Sequence, residues 1–545
     1  MLEEPKRVRQ RKPRKTSKPV FKRYNQGEII LFPQDLREYI PENHIVYLID
    51  EILEGLNIQP LIETYKGNGT SSYHPKMLIK VLVYSYLTKK YSSRIISKAL
   101  REDVTFMWIS GKSTPDFRTI NNFRSGRLKP VIDEIFTSTL EFMIENKYVS
   151  LDKYFIDGSK FRANANKYSY VWKKNTERYM ELTRSKIKEL LKEIEEENEK
   201  ENKDYGDKDL EELGENSTIT SEKLRNQIKK MNEIIKEKAG NKKIEKCKRE
   251  LEKKLLPKLE KYEEQERNLG KRNSYSKTDK DATFMRSKDD QLLPLYNVMI
   301  GTEDQYIVNY TVNQSASETN EFIGHMEKLR SCIGKLPKKI IGDSAYGSEE
   351  NYEYLRKKKI GNYLKYNTYH NDKKRKHKED KYHKDNLKYD SQEDTYECPN
   401  QKKLRFKEIK ERATRSGYLT KFKIYECENC SYCRLAKKCK KGKGKRTVQV
   451  NQRLEYFKEQ ARTNLESEEG IQLRKKRGTD VETVWGDIKK NHGYDRFMLR
   501  TLEKVNTEVG IMSMAHNIKK MHIKESQKLN NIIKNNEILK IAYGI

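Results

Sequence analysis

A chain of 545 residues is too long for one hydrophobic core, so several structural units are expected. Hydrophobic residues supply 34% and charged residues 36%, and the longest apolar stretch, "MLIKVLVYSYL" (77–87), is broken by Lys80; this excludes a membrane-embedded bundle and describes compact domains diluted by solvated helices. The net charge of +32 asks for a polyanionic partner, nucleic acid first, because an abundance of Lys, Asn, Ile and Glu does not by itself unbalance acid and base so far.

Residues 1–27 read as a basic arm, disordered when free and suited to touching DNA or RNA. No apolar segment follows the basic run, so a cytoplasmic protein is expected. From 28 to 148 apolar residues recur at three- and four-residue spacing, with Pro75 near a helix start: a helical N-terminal domain. Within it "STPDFRTINNFRSGRL" reads as a turn and a basic helix, with Arg118 and Arg124 as DNA contacts if the pair forms a helix-turn-helix.

The texture then changes. "LDKYFIDGSKFRANANK", in the unit 149–174, reads as a strand ending near Asp157, with Arg162 just beyond. Residues 175–272 are a charged helical block, read as a long hairpin or coiled coil with a thin apolar seam. Strand patterns return over 273–367: a hairpin around "TEDQ", an amphipathic helix, the strand "KKIIGD", a helix and a further short strand. A basic stretch holding most of the cysteines spans 368–470, and 471–545 carries two final helices, one around 480–490 and one near 499–525.

Three acids stand out by position. Asp157 follows "YFI", Asp343 follows "KII", and Glu482 lies near the expected start of the first of the final helices. Each has a plain explanation alone, as a turn residue, a helix cap or a first-turn acid. Together they suit phosphoryl transfer by two metal ions, which needs oxygen ligands from several elements converging on one point. Lys489, seven residues past Glu482, would touch a phosphate beside them. Asp279 and Asp281 in "TDKDA" read as turn residues, and Glu508 as a structural acid on the last helix.

At this point the chain resembles the bacterial insertion-sequence transposases of the DDE type. "YHPKMLIKVLVYSY" through "STPDFRTINNFR" is similar to their N-terminal helical domain, "YFIDGSKFRANANK" to the segment of the first Asp, and "IIGDSAYGSEENYEYL" to that of the second. "SKTDKDATFM" with "LYNVMI" resembles the stretch after the insertion, and "VETVWGDIKK" with "EVGIMSMAHNIKKM" the Glu helix and its successor. The resemblance implies an α/β fold: an RNase H-like mixed-sheet core with a helical N-terminal domain, a coiled-coil insertion and a Cys-rich insertion. It implies Asp157, Asp343 and Glu482 as catalytic ligands of two Mg²⁺ or Mn²⁺ ions. Lys489 matches the family's Glu-x6-Lys spacing. The family's arginine about four residues before the Glu, and its tyrosine three earlier, are replaced by Gly478 and Lys475, with Arg477 one residue away.

The implied activity is cleavage at transposon ends and joining of the freed 3′-OH to target DNA. The implied partners are double-stranded DNA, as terminal inverted repeats and target, and further copies of the chain; the setting is the bacterial nucleoid, with no membrane. A decayed transposase that only binds DNA, and an RNase H-like nuclease that cuts without joining, are the rival readings.

Of seven cysteines, Cys398, Cys427, Cys430, Cys433 and Cys439 cluster, with repeated C-x2-C spacing suited to one tetrahedral structural Zn²⁺. Four thiols suffice, and spacing does not say which is spare.

Overall fold

The computed structural model describes residues 35–65, 72–205, 219–237, 242–440, 442 and 444–543. The basic arm 1–27 lies outside the described residues.

The N-terminal helices α1 (Ile45–Gly55), α2 (Pro75–Leu87), α3 (Ser93–Glu102), α4 (Phe117–Asn122) and α5 (Ile132–Glu145) follow the apolar spacing of the sequence. Helix α2 is buried along most of its length and keeps Lys80 by placing its ammonium against Asp50 (2.6 Å) and Glu54 (2.5 Å) of α1. Asp116 caps α4, accepting from the Thr119 N–H at 2.7 Å, and the chain continues into a π-helical turn, Phe123–Arg127. That turn corrects one expectation. Arg124 is 2% exposed and points inward, donating to the Tyr86 hydroxyl and the Tyr91 carbonyl, so it is not a DNA contact.

The core sheet holds β1 (Lys153–Arg162), β2 (Leu292–Glu303), β3 (Tyr306–Asn313), β4 (Lys339–Gly347) and β5 (Gly361–Tyr366). Strands β1, β2 and β3 are antiparallel neighbours, while β4 and β5 run parallel to β1 on its other side. A short strand, Thr283–Arg286, shares the β3 edge of β2. The order β3-β2-β1-β4-β5 is the mixed sheet of an RNase H-like core. The β2–β3 hairpin turns at Asp304 and Gln305, both with positive φ, a backbone that matches strand twist in a two-residue turn.

Helices α10 (Phe322–Ile333) and α11 (Glu349–Lys357) form the expected crossovers around β4. Between β1 and β2 the charged block is not a two-armed hairpin. Among the described residues it is three helical rods, α6 (Lys173–Tyr205), α7 (Ser221–Glu237) and a third in which α8 (Lys242–Glu250) runs through a π-helical turn, Leu251–Leu255, into α9 (Leu256–Leu269), around their own small core of Ile187, Leu224, Leu251 and Leu259. Cys247 lies in that core, as a seam residue would.

The Cys-rich region is a second antiparallel sheet of β6 (Lys388–Asp390), β7 (Thr395–Glu397), β8 (Lys403–Ala413), β9 (Leu419–Cys427) and β10 (Thr447–Val450). Two helices follow, α12 (Gln452–Glu466) and α13 (Glu468–Gly486). Ser467 separates them, accepting from the Gly470 N–H at 3.0 Å with Glu468 and Glu469 in the first turn. The expected helix start near 480 is therefore corrected. Glu482 sits in the last turns of a 19-residue helix, because the cap lies at Ser467.

Helix α14 (Leu502–Tyr543) packs on β3, α2 and α5, joining the N-terminal helices and the sheet into one core. Asp279 and Asp281 accept from the Thr501 and Leu502 N–H groups at its start, a structural use for both. Glu508 is fully buried and accepts from the Tyr86 hydroxyl (2.8 Å) and the Met498 and Leu499 N–H groups, 3.7 Å from the Arg124 guanidinium. Removing one member of such a pair leaves a buried charge uncompensated. Glu508→Ala should destabilise the chain by about 3–5 kcal/mol, read as a lowered denaturation midpoint in urea, with Arg124→Ala similar and the double variant less than additive.

Candidate active site

The geometry begins with strand register. Strands β1 and β4 pair in parallel at Lys153–Lys339, Tyr154–Ile340 and Phe155–Ile341. Two residues beyond the last pair on each strand lie Asp157 and Asp343, level with one another and, by the two-residue period, on one face of the sheet. Asp157 lies mid-strand, opposite Ile300 of β2, instead of at a strand end. The β4–β5 ladder is irregular between Gly342 and Gly347, and in that gap the Asp343 carboxylate accepts from the Ala345 N–H at 2.9 Å. Asp343 is not a helix cap; Ser348 caps α11.

Helix α13 crosses β1 and β4 and brings the third acid. Its Arg477 forks between two carboxylates, donating to Asp157 Oδ1 and Glu482 Oε1, each at 2.7 Å. Arg477 is 11% exposed, Asp157 18% and Glu482 54%, so the cluster runs from a buried floor to an open rim. Burial pushes Asp157 up to about 7. The Arg477 charge opposes the shift, and Asp343, Glu318 and Glu482 add to it. Lys365 on β5 also feels Asp343 and Glu482, although burial and the Arg477 and Arg474 charges lower its pKa.

Glu318 was not anticipated from sequence. It lies between β3 and α10, largely buried, its pKa raised by burial and by Asp343. A Cβ on Gly158 would stand 2.2 Å from its Oε1, so the glycine after Asp157 makes room for a fourth carboxylate where the sequence suggests a turn. "DG" within a strand pattern was the available signal.

Two family models match the chain: the transposase DDE domain over residues 397–522 and a transposase domain (DUF772) over residues 34–126. Together the two matches indicate an insertion-sequence DDE transposase. No curated protein matches its sequence. The matched segments contain Glu482, Arg477, Lys489 and the clustered cysteines, while Asp157, Asp343 and Glu318 lie between them in sequence and reach the site through the sheet. No described helix of the transposase is long and apolar enough to cross a membrane.

The remaining basic candidates differ in their surroundings. Arg118 is exposed, its guanidinium over the Phe117 ring. Arg162 is half exposed and paired with Asp495. Lys489 lies in a π-helical turn, Asp487–Asn491, which rotates it off the Glu482 face. Its ammonium donates to Ser159 Oγ and the Lys160 carbonyl, both at 2.6 Å, and burial lowers its pKa to about 8. It braces β1 against α13.

The Gly158 contact gives a test. Gly158→Ala should fold, because only the flexible end of Glu318 is displaced, and should remove a like charge from Asp157. Both it and Glu318→Gln should move the Asp157 titration below about 7, measured as the pH midpoint of Mn²⁺ binding.

Proposed function

We propose that this transposase cuts DNA at the ends of a mobile element and joins the freed 3′-OH to target DNA, using Asp157, Asp343 and Glu482 as the ligands of two Mg²⁺ or Mn²⁺ ions. The observation that carries this reading is the placement of Asp157 and Asp343 level on neighbouring strands, with Arg477 joining Asp157 to Glu482 of helix α13. The ligand oxygens of the three acids are not all within 4.8 Å of one another, so an ion would draw them inward. The donor set fits hard divalent cations: carboxylate oxygens only, with burial and mutual repulsion holding a proton on Asp157 up to about pH 7. Bound there, the ions would supply an activated attacking oxygen and stabilisation of the leaving 3′-oxygen.

The chain's own residues prepare that site. Asp157 and Asp343 are fixed by the sheet, so neither loses much freedom on taking a ligand. Glu482 stands at the open rim, where a scissile phosphate would arrive. Arg477 holds the oxygens of Asp157 and Glu482 together; once released from them, its planar fork is suited to a DNA phosphate at the same edge. Glu318 adds negative charge behind Asp157. Arg118 and Arg162 offer exposed charge for the DNA backbone. The N-terminal helices would read the terminal repeats, and the helical insertion would serve assembly into the dimer or larger complex that paired ends require. Action on chromosomal DNA places the protein at the nucleoid.

The decisive experiment incubates purified protein with Mg²⁺ and DNA spanning an element end, then a target plasmid. Cleaved 3′ ends and joined products are expected, and Asp157→Asn, Asp343→Asn and Glu482→Gln should each lower both by at least about 10²–10³-fold while leaving DNA retention on gels intact. Cutting by Asp343→Asn at the parent rate would refute the assignment.

A second outcome concerns pH. Ion binding must displace the proton held on Asp157, so Mn²⁺ affinity should rise about tenfold per pH unit below 7 and flatten above it. Titration calorimetry in two buffers of different ionisation heat should show close to one proton released at pH 6.

A further inference from the structure

The Cys-rich insertion holds a second site, independent of the acidic cluster. Cys398, Cys427, Cys430, Cys433 and Cys439 all line one cavity of about 20 Å³ at the end of the insertion sheet, room for about one ion or water. Lys402, Lys440 and Arg446 border it. None of the five is in a disulfide.

Their backbone settings differ. Cys398 opens the turn from β7 to β8, closed by its N–H donating to the Lys402 carbonyl at 2.8 Å, and its Sγ accepts from the Asn400 (3.4 Å) and Lys402 (3.3 Å) N–H groups. Cys430 Sγ accepts from the Arg446 N–H at 3.4 Å, across the loop that joins β9 to β10. Amide donors aimed at a sulfur stabilise negative charge on it. Cys433 and Cys439 bracket a short turn in the same loop, where Ala436 N–H donates to the Cys433 carbonyl and Cys439 N–H to the Leu435 carbonyl. Cys427 is different. It is the last residue of β9, registered against Leu404, its N–H donating to the Arg446 carbonyl, and at 2% exposed it is the most buried of the five, in an apolar cluster with Leu404, Tyr425 and Val448 that Cys398 shares and Cys430 packs against.

We propose that Cys398, Cys430, Cys433 and Cys439 bind one structural Zn²⁺, and that Cys427 is the spare thiol, a packing residue of the sheet. Tetrahedral thiolate coordination at about 2.3 Å puts sulfurs about 3.8 Å apart. Here no three of these sulfurs lie within 4.8 Å of one another; among the described residues only ligand atoms of His377, His383 and Asp385 form such a set. Three of the four proposed ligands are on the β9–β10 loop, outside the strand ladders, whereas Cys427 is held in its ladder. The ion would fasten that loop to the β7–β8 turn and so fix the free end of the insertion. The histidine set is a weaker holder: it is partly exposed, and His383 Nδ1 already accepts from the Asp385 N–H at 3.4 Å.

The test uses the full chain, purified under reducing conditions without added chelator, with metal content measured by mass spectrometry. One zinc per chain is expected. Cys398→Ser, Cys430→Ser, Cys433→Ser and Cys439→Ser should each lose it, while Cys427→Ala, Cys427→Val and the His377→Ala/His383→Ala double variant keep it. Replacement with Co²⁺ should give the visible bands of a tetrahedral four-thiolate site, unchanged in Cys427→Val should Cys427→Ala fold poorly. A zinc-free protein, or loss of zinc from both Cys427 variants or from the histidine variant, would overturn the assignment.

Discussion

The site depends on keeping two carboxylates side by side in a poorly solvated place. Parallel pairing of β1 with β4 fixes Asp157 and Asp343 at one level and on one face, and nothing in a β-ladder lets them move apart. Their mutual repulsion, with Glu318 behind and Glu482 in front, is balanced in three ways: a proton favoured on Asp157, the Arg477 fork, and the outlet to solvent at Glu482. A single-residue slip of β4 would turn Asp343 to the other face. The apolar residues just before the acids, Tyr154, Phe155, Ile340 and Ile341, are all completely buried and hold that register.

Bringing Glu482 to this point is the work of the C-terminal helices. Helix α13 lies across β1 and β4, and Asp480, one turn from Arg477, is 1% exposed and accepts from the Thr302 hydroxyl and the Gln305 N–H of the β2–β3 hairpin. The helix is thus anchored to the sheet within two residues of Glu482. Helix α14 then ties the sheet to the N-terminal domain through Asn517, which exchanges two hydrogen bonds with the Ile307 backbone, and through the Glu508–Arg124 network. The domain read as DNA-binding and the domain that would perform the chemistry therefore share one core.

Much of this was legible in the sequence where local pattern and tertiary environment agree. The β2–β3 hairpin, the crossover helices and the strands before Asp157 and Asp343 are all marked by alternating or periodic apolar residues with turn residues between them. What was not legible depends on partners distant in the chain. Arg124 sits in a basic run that looks solvent-facing, and its burial is explained by Tyr86, Tyr91 and Glu508, the last of them 384 residues away. Glu318 has no motif of its own, and its role appears only once Gly158 is seen to leave space for it. The Cys-rich sheet was missed because β8 is exposed along most of its length and so lacks the apolar alternation of a half-buried strand. Glu482 was placed near a helix start, whereas Ser467, fifteen residues earlier, supplies the actual cap.

Spacing motifs need the helix to be regular, and this helix is not. Glu482 and Lys489 are seven residues apart, two turns of an ideal α-helix, but the π-turn at Asp487–Asn491 adds a residue to the second turn and swings Lys489 toward β1. There it lies over the Phe161 ring at 4.3 Å and clamps Ser159. The same crossing geometry puts Arg477 against Asp157, so that the residue one position off the family's arginine becomes the one that spans the acids. Arg477 has only one guanidinium, and its fork is already shared between Asp157 and Glu482. Any phosphate that took it would have to come with positive charge for the carboxylates left behind, which would couple DNA engagement to cation binding through a single side chain.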